Sequence, residues 1–365
     1  MIIMKALLIS LLLFSSTSAW ATRARLLSLG LDEDGTQIIR DNRNIFLNPA
    51  EVAKVKEGIY GEWGDSALGG VNPDAEGGLV YDLGGFKTAL QLGRQTVVSD
   101  NINIANPFLG GTLMLPQNSI DVIGGKTLNN GMAFGVGLHF ANSSDETSGN
   151  VNNDEARQLS VSAGLMSDKF GAYARFDFLH ASEDTVSNTE YDGDLQFSLG
   201  GFFNINEKNM IRAEIDRTSF DARNGGVTQE TSATAMELAF THYVDTGGKA
   251  LVLFFDGGIN WADGENSRPG LNQDISVLSL PLTIGVEAPV KSWLDFRASV
   301  RQTVILDRQE VAPRETANLQ STQVAGGVGI KLGDFTIDGV LRGSTGTAQI
   351  DADDILGNVA VTYNF

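Results

Sequence analysis

Apolar and polar residues alternate with a period of two in segment after segment of this chain. In the last ten residues Val359, Val361, Tyr363 and Phe365 share one face, while Asn358, Ala360, Thr362 and Asn364 share the other. Leu195, Phe197, Leu199, Gly201 and Phe203 alternate in the same way with Gln196, Ser198, Gly200 and Phe202. Leu294, Phe296, Ala298, Val300 and Gln302 alternate with Asp295, Arg297, Ser299 and Arg301. Successive side chains of a strand point to opposite sides, so each run predicts a β-strand with one apolar and one polar face. Sixteen such segments are read, at 57–64, 76–84, 86–94, 118–126, 131–141, 157–167, 169–181, 193–204, 207–219, 231–244, 249–261, 275–288, 292–306, 319–332, 334–343 and 356–365. Short turns such as Gly84-Gly85, Ser167-Asp168, Ile205-Asn206 and Gly333 alternate with longer stretches at 65–75, 95–117, 142–156, 182–192, 220–230, 262–274, 307–318 and 344–355.

A β-sandwich turns its apolar faces inward and its polar faces to water. Here the polar faces carry full charges and every strand keeps an apolar face, which suits the opposite arrangement: apolar side to lipid, polar side to an enclosed wet interior. Unpaired backbone groups in hydrocarbon cost several kcal/mol each, so such a sheet must close on itself. The fold expected is therefore all-β, a transmembrane antiparallel up-and-down β-barrel over residues 57–365, of about 16 strands, with 14 as the alternative. Short turns would face the periplasm and long loops the exterior, and an even strand number puts both barrel ends in the periplasm. A barrel this wide is not filled by its own wall side chains, so water or a plug occupies the lumen. Phe86, Phe134, Phe140, Phe170, Phe178, Phe240, Phe255, Trp261, Trp293, Phe335, Tyr363 and Phe365, many of them near segment ends, sit where interfacial aromatic girdles would form.

The polar faces hold the candidate pore lining: Lys87, Arg175, Arg212, Arg297, Arg301, Lys331 and Arg342, with Asp121, Asp177, Glu214, Asp216, Glu237, Asp256, Glu287, Asp295 and Asp338. Opposed charges round a wet lumen set up a transverse field that screens solutes by charge. The bland alternative is cross-strand pairing that holds the wall together.

The terminal strand closing on Phe365 resembles the carboxy-terminal signature of bacterial outer-membrane barrels, a resemblance that implies recognition by the barrel-assembly machinery. At the other end, Lys5, the apolar run Ala6 to Phe14 and the small residues up to Ala21 have the layout of a signal peptide over 1–21, cleaved before Thr22. With 42 glycines, eight prolines and no cysteine, the chain favours strands and tight turns and holds no disulfide, thiol nucleophile or thiolate metal site. The net charge of −19 with no basic run excludes nucleic acid as a partner. Outer-membrane lipid and lipopolysaccharide are the expected surroundings and small solutes the expected cargo. A homo-oligomer is expected only by analogy with barrels of similar size.

No catalytic constellation stands out. His139, His180 and His242 fall on separate strands, and nothing in their spacing enforces a serine–histidine pair, so no enzymatic role is expected. Asp32-Glu33-Asp34-Gly35 lacks the spread of ligands of a calcium loop, and Asp351, Asp353 and Asp354 read as a solvated loop tip. Neither a metal nor a cofactor is expected.

Residues 22–56 do not alternate. Asn48 can cap a helix that Pro49 opens, with Glu51 where a capping box places its carboxylate. The run Ser28-Leu29-Gly30, followed by Asn44-Ile45-Phe46-Leu47-Asn48-Pro49-Ala50, resembles the amino-terminal hatch of the FadL-type outer-membrane transporters. That resemblance implies a plug in a fourteen-stranded barrel that takes up hydrophobic compounds, with Asn48, Pro49 and Ala50 as its hatch element. The polar lumen favours instead a passive porin for small hydrophilic solutes or ions. FadL-like transport is the second reading, and a structural or adhesive surface barrel with loops 95–117 and 142–156 as its contacts is the third.

Overall fold

The structure, a computed structural model, describes residues 22–64, 74–94, 101, 108–109, 113–147, 152–246, 251–310, 322–345 and 355–365. The expected signal peptide, Asp351, Asp353 and Asp354 lie outside these residues, as do most of the stretches 65–75, 95–117, 307–318 and 344–355.

Strand β1 (Gly58–Gly64) pairs antiparallel with β2 (Asp74–Asp82). The chain then runs up and down through β3 (Lys87–Leu92), β4 (Asn118–Thr127), β5 (Ala133–Thr147), β6 (Asn152–Met166) and β7 (Phe170–Asp184). Next come β8 (Thr189–Gly193) and β9 (Gln196–Asn206), two halves of one wall position, since both lie between β7 and β10 (Asn209–Asn224). The wall continues through β11 (Val227–Tyr243), β12 (Val252–Arg268), β13 (Leu271–Lys291), β14 (Leu294–Glu310), β15 (Thr322–Leu332), β16 (Phe335–Thr345) and β17 (Ile355–Asn364). Strand β17 pairs back onto β1, with Gly58 opposite Asn364, and closes the ring at sixteen wall positions. The strand number is the one the alternation predicts, not the alternative of fourteen.

The register sorts the faces as the alternation demands. Leu199, Phe203, Phe296, Val300, Val359 and Phe365 are exposed on the outside, and Gln196, Asp295, Arg297, Asn358 and Thr362 are buried on the inside. At the seam Phe365 lies 6.4 Å from Tyr81 and from Tyr363, and Tyr363 lies 4.7 Å from Phe335, an aromatic cluster at the end where the short turns lie. Among the described residues no helix is long and apolar enough to cross a membrane.

Two of the long external loops expected at 220–230 and 262–274 are instead strand. β10 and β11 pair as far as Asn224 and Val227, and β12 and β13 as far as Arg268 and Leu271. Gly225 and Gly226, both at positive φ, make the first turn, a conformation that costs glycine little. The stretches 142–156 and 182–192 are likewise largely strand, in β5 to β8. About ten residues of tilted strand span a bilayer. β11 and β12 each have 17, so their outer parts stand in water and need no apolar face. The pairing continues where the alternation stops.

Candidate functional site

The lumen is crossed by the amino-terminal segment. Helix α1 (Arg23–Ser28) starts at Thr22, whose hydroxyl accepts from Arg25 N at 3.2 Å. It lies against β14 to β17. The short helix α2 (Asn44–Leu47) leads into a 3₁₀ helix (Pro49–Lys54), capped where Asn48 Oδ1 accepts from Ala50 N at 3.1 Å. This second half packs on β3 to β6, several strands away from α1 round the ring. The sequence pattern placed the helix at Pro49 and did not show α1.

Asn48, Pro49 and Ala50 sit in a groove of inward-facing glycines. A side chain at Gly135 would overlap the Pro49 carbonyl, one at Gly164 the Asn48 amide, and one at Gly125 would lie 2.7 Å from Val52. Only bare backbone leaves this space. Ile45, Phe46, Val52 and Val55 bury against Val80, Ala89 and Ile123 of the wall.

Charges fix the rest of the segment to the wall. Arg25 holds Glu287 at 2.7 and 3.0 Å. Arg297 reaches the same Glu287 at 2.8 Å and Asp338 at 2.5 Å, and Thr22 donates to Asp338 at 3.3 Å. Nearer the seam, Glu62 of β1 accepts from Arg23 N at 2.8 Å. Arg43, 1% exposed, bridges Glu62 and Glu76, which face each other on β1 and β2. Removing one partner of such a set strands the others as buried charges, at about 3–5 kcal/mol. Arg94, just past β3, pairs with Asp121 at 2.8 Å and with Asp34 of the segment at 3.4 Å, and lies over the Phe46 ring.

The candidate pore residues all lie on inward faces, and they divide by partner. Glu287, Arg297, Asp338 and Asp121 belong to the networks that hold the segment, and Lys87 donates to the Val55 carbonyl. Arg175 with Asp177 (2.9 Å), Arg212 with Asp256 (2.7 Å) and Glu237 (3.4 Å), and Lys331 with Asp295 (2.7 Å) pair within the wall. Glu214 accepts from Tyr173 at 2.7 Å. Arg301 and Arg342 face Leu27, Gly30 and Leu31 across a narrow cleft. Asp216 borders the central chamber. His139 lies 3.0 Å from Asp121, and His180 and His242 bond to Tyr191 and Asn209. Among the described residues no group of three acidic or histidine side chains is placed to hold a metal.

Sequence reasoning missed Glu62, Glu76, Arg94 and the arginines of the segment itself. Glu62 and Glu76 carry the same signal as the rest, a charge on the polar face of an alternating strand. Which of the wall carboxylates Arg23, Arg25 and Arg43 pair with carries none, because the pairing is set by folding across the lumen.

Two cavities flank the segment. The inner chamber, about 290 Å³, is bounded by Asp32, Asp34 and Gln37 of the segment and by Arg175, Arg212, Glu214, Asp216, Glu237 and Arg301 of the wall. The second, about 400 Å³, opens by the turns Ser167–Lys169 and Ile205–Glu207 and has an apolar floor of Ile38, Ile39, Met166, Phe202, Met210 and Tyr243. On the far side of the chamber, described parts of the β3–β4 connection fold inward. Leu109 and Leu113 pack on Tyr191, Phe220 and Ala222, and Asn224 donates to the Leu109 carbonyl at 2.7 Å.

Residues 75–240 match the family described as outer membrane protein beta-barrel domain. No curated protein matches the chain in sequence. Among solved structures, a FadL homologue of Pseudomonas aeruginosa is similar over 95% of this chain and 99% of its own, at 11% identity and a TM-score of 0.49. The toluene transporter TbuX of Ralstonia pickettii is similar over 96% and 99%, at 12% identity and a TM-score of 0.41. The toluene transporter TodX of P. putida is similar over 92% and 99%, at 14% identity and a TM-score of 0.39.

Proposed function

Because this chain is an outer-membrane β-barrel protein, we propose that it is a hatch-gated transporter of small hydrophobic compounds, with residues 22–56 as the hatch. One observation carries the reading: the segment crosses the lumen and is ion-paired to the wall at Glu287, Glu62 and Glu76. A passive porin, the first choice on sequence alone, needs an open aqueous bore. A lumen crossed by a segment tied to its wall through buried charge networks suits a cargo admitted by displacement. The apolar floor of the second cavity favours that cargo too, since burying apolar surface there gains about 25 cal/mol per Å² and a hydrophilic solute gains nothing.

Planar-bilayer recording together with dye uptake tests the proposal. The intact chain should give no large stable conductance steps, and a variant lacking residues 22–56 should give them. In Gram-negative host cells whose lipopolysaccharide excludes a neutral naphthylamine dye, the intact chain should speed dye entry. Large steady steps from the intact chain would return the reading to a porin.

A further inference from the structure

We propose that cargo passes the hatch through one local septum, Gln37-Ile38-Ile39, rather than by expulsion of the whole segment; this rests on the transport reading above. Gln37 and Ile38 border both cavities. Along β9 and β10 the chamber touches Ser198, Arg212, Glu214 and Asp216, and the cavity touches Phe202, Asn204 and Met210, nearer the short turns. The two spaces are stacked along the same wall, with this stretch of the hatch between them.

The septum is the part of the hatch best suited to yield. Residues 37–39 belong to no helix or strand. They hang from Asn44, which accepts from Thr36 N at 2.9 Å and donates to Ile39 O at 2.8 Å. A Tyr243 hydroxyl donating to the Ile38 carbonyl ties them to the wall. The flanking parts carry anchors of another kind, α1 the ion pair of Arg25 with Glu287 and the 3₁₀ helix its glycine groove. Swinging Ile38 and Ile39 aside takes them out of their apolar packing with Leu26, Leu29, Met210 and Phe254 and joins chamber to cavity, while the Arg25–Glu287 pair and the glycine groove stay in place. A molecule taking this path meets charged walls first and an apolar floor second, so an amphiphile with a compact polar end fits both.

Staples and gate variants separate the two routes. The chain has no cysteine, and Ser28 of α1 lies directly against Gly327 of β15; an added Cβ there would fall 2.5 Å from that of Ser28 and 2.8 Å from the Gly339 carbonyl, so Ser28→Cys with Gly327→Cys reaches the disulfide span of about 3.8 Å between Cβ atoms once α1 and β15 part by about 1 Å. With the bond formed, dye uptake should persist. Tyr243→Phe removes one hydrogen bond from the septum and should raise uptake about threefold to tenfold, whereas Met210→Trp should fill the cavity and lower it. Heat-modifiable gel mobility confirms that each variant still forms its barrel. Uptake abolished by the staple and restored by reduction would show whole-hatch expulsion and overturn the septum. Unchanged uptake in both gate variants would overturn it as well. A wild-type chain that admits dye no faster than host cells lacking it removes the transport reading itself, and the septum with it.

Discussion

At the scale of single residues, space and charge divide the task of holding the amino-terminal segment, the proposed hatch. Gly135 and Gly164 serve by lacking a side chain. Gly135→Val should therefore push Asn48-Pro49-Ala50 out of its groove and produce conductance steps in a bilayer while the barrel itself still assembles. Arg43 serves by charge, and Arg43→Met should loosen the same segment by leaving Glu62 and Glu76 face to face. Asp41 adds a dependence on pH. It is 6% exposed, and burial pushes its carboxyl up to about 6 against the pull of Arg25. A carboxyl whose docked pKa is raised favours docking most while it is protonated. That advantage, on the order of 2–3 kcal/mol, is lost as pH climbs from roughly 4 through 6. Channel openings should become more frequent over that range, and Asp41→Asn should flatten the dependence. A wild-type opening frequency independent of pH would falsify this assignment.

At the scale of elements, lipid is what made the strands legible. Where the outside of β10 or β14 meets acyl chains it must be apolar, and the period of two shows plainly. Where β11 and β12 rise beyond the bilayer the outside meets water, the constraint lapses, and paired strand reads as loop. Shortening the β12–β13 hairpin by equal numbers of residues on both arms above Asp263 and Ile275 should leave barrel assembly and uptake intact, checked by gel mobility and the dye assay. The hatch was legible only in part. Asn48 and Pro49 announce the 3₁₀ helix through local capping chemistry, while α1 has six residues and takes its position from partners hundreds of residues away. The set of wall charges could be read from the faces, but which of them pair within the wall and which seize the hatch depends on register and on the segment's path.

At the scale of the whole molecule, the closed ring and its insert are one object. Thr22 touches Asp338 on β16, and Arg23 is held by Glu62 on β1, so α1 lies across the place where the last strand meets the first. Phe365 directly follows that last strand, and deleting it should lower the yield of heat-modifiable barrel, the expected result if the terminal aromatic is read during assembly. Helix α1 thus lies beneath the joint that β17 makes with β1. Like a peg driven beneath the last stave of a cask, the docked helix ties β16 to β1 across the strand that shuts the hoop, so whatever loosens the peg also loosens the joint.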